Sequence, residues 1–127
     1  MDVAYASIRI KKEEKEKEML KRDNPLFSLD ITAKILNRLP KVKEDTYFSR
    51  RNISAFIYHR NREKNNEFGP YMEKEETARN KKGICFLTYK GIEKLCEAYK
   101  NNGKLMAYNI KKLRETTEGV KGEILDQ

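Results

Sequence analysis

Ser49-Arg-Arg-Asn-Ile-Ser-Ala-Phe-Ile-Tyr-His-Arg-Asn-Arg62 is the stretch on which the rest of the chain turns. Its spacing predicts one short helix with two unlike faces. At about 100° per residue, Ile53, Phe56 and Ile57 fall on one stripe. Arg51, Ser54, Ala55, Tyr58 and Arg62 fall on the other side. Ser49 stands where its hydroxyl can accept from a free amide of the first turn. The apolar stripe requires a core beneath it. The outward face is small, hydroxylated and basic, a composition that suits a nucleic-acid groove. An ordinary amphipathic helix with a solvated basic face carries the same pattern, so the flanking segments have to decide.

On the N-terminal side, Ser28 opens a helix over Leu29-Asp-Ile-Thr-Ala-Lys-Ile-Leu-Asn-Arg-Leu39. Ile31, Ile35 and Leu39 share a face, Asp30 complements the helix dipole, and Pro40 ends the run. Lys41 to Phe48 is then a linker, with a turn before Ser49 that frees Tyr47 and Phe48 to reach the core. Further back, residues 11–22 read as a solvated helix with Met19 and Leu20 touching the body. Asp23-Asn-Pro25 breaks it. Residues 3–10 alternate weakly, as a short strand or a lead-in.

On the C-terminal side, Asn61 to Asn66 is a polar stop. Phe68-Gly-Pro-Tyr-Met72 and Gly83-Ile-Cys-Phe-Leu-Thr88 read as two strands of a hairpin. Its tip, Glu73 to Lys82, is too polar to bury and carries Arg79, Lys81 and Lys82. Thr88 caps a helix over Lys90 to Lys100, in which Ile92, Leu95, Cys96 and Tyr99 form a one-sided stripe. Asn101-Asn-Gly103 stops it. Leu105 to Glu115 is a last helix with Met106, Ile110 and Leu113 on one side, and the residues from Glu118 onward are expected to fray.

Composition narrows the classes. The chain has 127 residues, 38% of them hydrophobic and 38% charged, which allows one domain with a small core. A formal net charge of +8 favours an anionic partner. No apolar run approaches the ~20 residues of a membrane span, and the N-terminus lacks a signal-peptide pattern. Cys85 and Cys96 sit inside apolar patterns and read as small buried hydrophobes of a reduced, cytoplasmic protein. With a single His, no zinc spacing exists, so neither metal nor cofactor is expected. No glycine-rich phosphate cradle or nucleophile–histidine spacing occurs, which argues against an enzyme.

The order helix, turn, basic-faced helix, two-strand hairpin, amphipathic helix resembles a winged helix-turn-helix domain, of the kind found in small phage and plasmid regulators. Leu29-Asp-Ile-Thr-Ala-Lys-Ile-Leu and Ser49-Arg-Arg-Asn-Ile-Ser-Ala-Phe-Ile resemble the scaffold and recognition helices. Gly83-Ile-Cys-Phe-Leu-Thr-Tyr-Lys-Gly-Ile-Glu-Lys-Leu resembles the closing wing strand and following helix. The link from Leu39 to Ser49 departs from the pattern, lacking the tight Gly-containing turn of many members, which leaves the MerR-like variety open.

The resemblance implies an α+β, mainly α fold: an N-terminal arm or helix (1–27), a winged domain (28–102), and a C-terminal helix with a frayed tail (103–127). It implies double-stranded DNA as partner. Arg51, Ser54, Ala55 and Tyr58 would read bases; Arg50, Arg60, Arg62, Lys64, Arg79, Lys81 and Lys82 would contact phosphates. Met106, Ile110 and Leu113 would form a homodimer interface, though the last helix can equally pack on its own domain. Two competing expectations remain. One is a protein-binding module, such as a phage-encoded inhibitor, using Tyr47, Tyr71 or Tyr108. The other is RNA binding through a basic wing and exposed tyrosines.

Overall fold

The structure is a computed structural model and describes residues 13–75, 84–106 and 110–126. The short strand or lead-in expected at residues 3–10, the hairpin tip with Arg79, Lys81 and Lys82, and Tyr108 lie outside them. The fold is α+β and mainly helical. Helix α1 covers residues 13–20. Strand β1 (Leu26–Ser28) leads directly into α2 (Leu29–Asn37). Then come α3 (Arg50–Glu63), a 3-10 turn (Gly69–Tyr71), β2 (Met72–Glu75), β3 (Ile84–Thr88), α4 (Tyr89–Asn101) and α5 (Ile110–Leu125).

The sheet is antiparallel with three strands in the order β1-β3-β2, one more than the hairpin expected from sequence. Strand β1 pairs Phe27 with Leu87 and Ser28 with Phe86. Three residues behind a proline are too few to show a period of two, so sequence alone hid this strand. It occupies an edge, where Pro25 costs no internal ladder bond. Strand β2 begins at Met72, not Phe68. Pro70 sits inside the 3-10 turn instead, as its second residue, and Phe68 is wholly buried ahead of it.

Alternation along β1 and β3 gives the sheet two covered faces. Phe27 and Leu87 enter the main core with Leu36, Ile53, Phe68, Ile92 and Leu95. Leu26 and Phe86 point the other way and meet Met19 of α1. Burying each such side chain contributes roughly 1.5–3 kcal/mol. Main-core members run from Leu20 to Ile124, so residues on both sides of the expected boundaries at 27/28 and 102/103 share one core.

Caps set the helix starts where the sequence placed them. Ser28 Oγ accepts from the Ile31 amide at 3.2 Å, and Thr88 Oγ1 accepts from the Gly91 amide at 3.1 Å. Gly103, at φ +80°, takes the left-handed turn after α4. The following link is stapled to the α2–α3 loop: Val42 N–H donates to the Lys104 carbonyl, and Met106 N–H donates to the Pro40 carbonyl.

Helix α5 corrects two expectations. It does not fray at Glu118 but continues to Leu125. Leu113 does not face a partner subunit: it is wholly buried in its own chain. Met106 precedes the helix, so the register that grouped it with Leu113 does not extend that far. The stripe is Leu113, Thr117, Val120 and Ile124, and α5 packs on α2. Arg38 donates to both Glu123 carboxylate oxygens, at 2.9 and 2.5 Å, securing the far end of α5. Met106 and Ile110 stay exposed, at 53% and 55%.

Thr117 is the misfit in that stripe. It is buried, and its hydroxyl has no hydrogen-bond partner among the described residues. By contrast, the buried Thr32 hydroxyl donates to the Ser28 carbonyl at 2.8 Å. A buried hydroxyl without a bond costs free energy that an isosteric methyl does not. Thr117→Val is therefore expected to raise stability by about 1 kcal/mol in denaturant unfolding, whereas Thr32→Val lowers it. A loss of stability from Thr117→Val would show that the hydroxyl is bonded after all.

Candidate nucleic-acid interface

The outward face of α3 depends on how firmly its inward face is held. Ile53 and Ile57, one turn apart, are both buried. Half-buried Phe56 stacks on Tyr99 of α4, with ring centroids 4.3 Å apart and planes at 25°. Phe48, just before the helix, meets the same Tyr99 edge-on at 4.8 Å. The two aromatics expected to reach the core part company here: Phe48 is buried, and Tyr47 is 71% exposed.

Side-chain amides hold both ends of the helix. Ser49 Oγ accepts from the Asn52 amide at 3.2 Å, and Asn52 Oδ1 accepts from the Ser49 amide at 2.9 Å. Asn thus fills the reciprocal role usually given to Glu or Gln in a capping box. Asn52 Nδ2 also donates to the Tyr47 carbonyl at 3.0 Å. From α2, Asn37 donates to the Phe48 carbonyl at 2.7 Å and accepts from its amide at 2.8 Å. At the other end, Asn61 Oδ1 accepts from the Phe68 amide at 2.8 Å. Asn65 and Asn66 turn the chain at φ 52° and 61°, a region asparagine tolerates.

All four residues expected to read bases, Arg51, Ser54, Ala55 and Tyr58, are exposed on this face. His59 and Arg62 are exposed with them, and Arg50 is exposed on one flank, about 100° from Arg51. Tyr58 is 59% exposed; the Arg62 guanidinium lies 5.7 Å from its ring centroid, and the His59 ring meets its edge at 5.7 Å. Lys64 is exposed at the C-cap. No Asp or Glu occurs in α3 before its last residue, Glu63.

Arg60 departs from the group. It lies on the inward flank, where Nε and Nη2 donate to Glu67 at 2.9 and 3.2 Å. Lys94 of α4 adds a second cation to Glu67 at 3.4 Å. The charge expected to meet phosphate is thus already matched within the fold. Sequence spacing could not show this, because Glu67 reaches Arg60 only once the Asn65–Asn66 turn reverses the chain. The hydrogen bond from Arg60, with its charge and that of Lys94, holds the Glu67 carboxyl below the usual range against the opposing effect of burial.

Two recesses adjoin α3. One, of about 430 Å³, is lined by both signs of charge, including Arg60, Glu67, Glu93 and Lys94. The other, of about 280 Å³, has Tyr47, Phe48, Phe56 and Tyr99 as walls and Thr46, Asn52, Asn102 and Lys104 among its polar groups. The thiols are poor nucleophiles: burial, with a smaller effect of Glu93, pushes Cys96 up to about 12, and burial raises Cys85. Among the described residues, no cluster of His, Cys, Asp or Glu could hold a metal ion, and no helix is long and apolar enough to cross a membrane.

No protein-family profile, curated protein or solved structure matches this chain.

The Glu67 pairing has a signed pH consequence. Its folded-state pKa lies below the unfolded value, so its stabilising effect is present above the unfolded carboxylate range. That effect disappears as pH falls through the folded value. Glu67→Gln is expected to cost about 1 kcal/mol or less at neutral pH, since the pair is partly solvated. The difference from wild type should close as the medium is acidified. Unfolding curves for both proteins across that range test this, and a gap that persists in acid would contradict it.

Proposed function

We propose that this protein binds double-stranded DNA sequence-specifically as a winged helix-turn-helix regulator or a phage or plasmid maintenance factor. In this reading, α2 is the scaffold, α3 enters the major groove, and the β2–β3 hairpin is the wing. The observation that carries it is the outward face of α3. Arg51, Ser54, Ala55, Tyr58, His59 and Arg62 are all exposed there, Arg50 is exposed on one flank, and no carboxylate lies among them. The element order supports it. A strand precedes the scaffold helix and pairs with the returning strand of the hairpin, which suits a winged arrangement.

The roles follow from groove chemistry. Arg51 can donate two bonds to a guanine edge, worth about 1–3 kcal/mol of discrimination. Ser54 and Tyr58 contact bases or phosphates, and Ala55 leaves room for close approach. Arg50, Arg62 and Lys64 position the protein on the backbone, with Arg79, Lys81 and Lys82 of the hairpin tip. Arg60 has a smaller part than its neighbours, being paired with Glu67. The reading involves no catalysis, cofactor or metal. Met106 and Ile110, still exposed, are the remaining candidates for contact with a second copy.

Selection of duplexes from a random pool, followed by titration at two salt concentrations, tests this function. Wild-type affinity should fall steeply with salt, by roughly 0.9 in log–log slope per phosphate contacted. Arg51→Ala is expected to relax the selected sequence at one position. Lys81→Ala and Lys82→Ala should instead weaken binding to all sequences alike. Uniform effects from all three variants would remove Arg51 as a base reader. Failure to bind any duplex at low salt would favour a protein partner, and a preference for single-stranded RNA would favour the RNA-binding reading.

A further inference from the structure

We infer that the recess beside the first two turns of α3 is a second contact for the DNA sugar–phosphate backbone, on the opposite flank of α3 from the hairpin. The inference rests on the DNA-binding reading above and adds residues to it. Its starting point is helix geometry. Asn52 and Asn61 are nine residues apart, which places them about 180° apart around α3. Asn61 binds the Phe68 amide and approaches the Met72 sulfur at 3.8 Å, so the approach to β2 runs along its flank. Asn52 binds the Tyr47 carbonyl and lines the recess with Phe56 on the other flank. A helix lying in a major groove has a phosphate chain along each side. The hairpin serves one side; the recess lies where the other chain passes.

The recess has matching chemistry. Its rim offers the hydroxyls of Thr46 and Tyr47, the amide of Asn102 and the ammonium of Lys104, and no carboxylate lines it. These are the side-chain types that bind phosphate and sugar oxygens. Glu44 and Asp45 belong to the same loop but do not line the recess. Asn52 has both ends of its amide occupied by Ser49 and Tyr47, which makes it a positioning residue rather than a contact. Lys104 is exposed and pairs with no carboxylate among the described residues. Its backbone is fixed from two sides: its carbonyl accepts from Val42, and its amide donates to the Tyr99 carbonyl at 2.9 Å. Loop and link therefore present one preformed surface, with little ordering left to do on binding.

The test uses the full chain and the duplexes selected by wild type. Lys104→Ala should weaken all duplexes by the same factor and lower the salt slope by about 0.9, leaving the selected sequence unchanged. Lys104→Arg should restore the slope, and Tyr47→Phe should weaken binding without changing it. Lys34→Ala, which removes an equal charge from the α2 side facing Glu123, controls for net charge and should leave the slope nearly intact. Melting curves establish that each variant folds. If wild type binds duplexes with steep salt dependence while Lys104→Ala matches Lys34→Ala, the recess contact is refuted and the reader helix stands. If wild type shows no salt-dependent duplex binding, both fall together. A changed base preference in Lys104→Ala would also refute a backbone role.

Discussion

Two isoleucines one turn apart determine which way α3 faces. Ile53 and Ile57 are both buried, and every polar or basic group of the outer face takes its direction from them. A helix of this length is marginal alone in water, so packing supplies most of its stability. The aromatic contact of Phe56 with Tyr99 resists rotation about the helix axis, because turning α3 would unstack the rings. The sequence of α3 thus divides its work. A few apolar positions hold it, Asn52, Asn61 and Arg60 tie its ends and inward flank, and the outward positions are left free of structural work.

Around this anchor, three asparagines act as substitutes for backbone. Asn37, Asn52 and Asn61 each direct a side-chain amide at main-chain groups that no helix or strand would satisfy. The long α2–α3 loop needs this, since buried or half-buried loop backbone without partners is costly. An aliphatic residue at Asn37 would free both backbone groups of Phe48 and loosen the entry to α3. The loop that departs from a tight helix-turn-helix connection is therefore held in place by side chains.

Much of this was legible in the sequence, and the failures have physical causes. Caps at Ser28, Ser49 and Thr88, the stripe of α4 and the stop at Gly103 are local signals, and each appears where the pattern put it. The exposure of Arg51, Ser54, Ala55 and Tyr58 followed from one periodicity. What local pattern does not carry depends on distant partners. Strand β1 exists only because β3 lies beside it. Leu113 looked free for a second subunit because the complementary face of α2 is some 80 residues away in the chain; the Arg38–Glu123 bond spans 85 positions. Arg60 looked like its neighbours until the Asn65–Asn66 turn returned Glu67 to it.

The arginines of α3 show how the fold separates structure from surface. Arg60 lies against protein, and there a carboxylate and the Phe56 ring, 5.9 Å from its guanidinium, offset the loss of water. Arg50, Arg51 and Arg62 have no carboxylate partner among the described residues, and they remain in water, where repulsion between like charges is weak: two unit charges 4 Å apart interact by about 1 kcal/mol in bulk water. That arrangement adds nothing to folding and costs a little. It is tolerable because the core, the caps and the asparagine ties are all elsewhere. A polyanion laid along that face would reverse the sign of the interaction and shed part of its own condensed counterion atmosphere. A surface held rigid from behind and unfavourable to itself is one that gains most from an anionic partner.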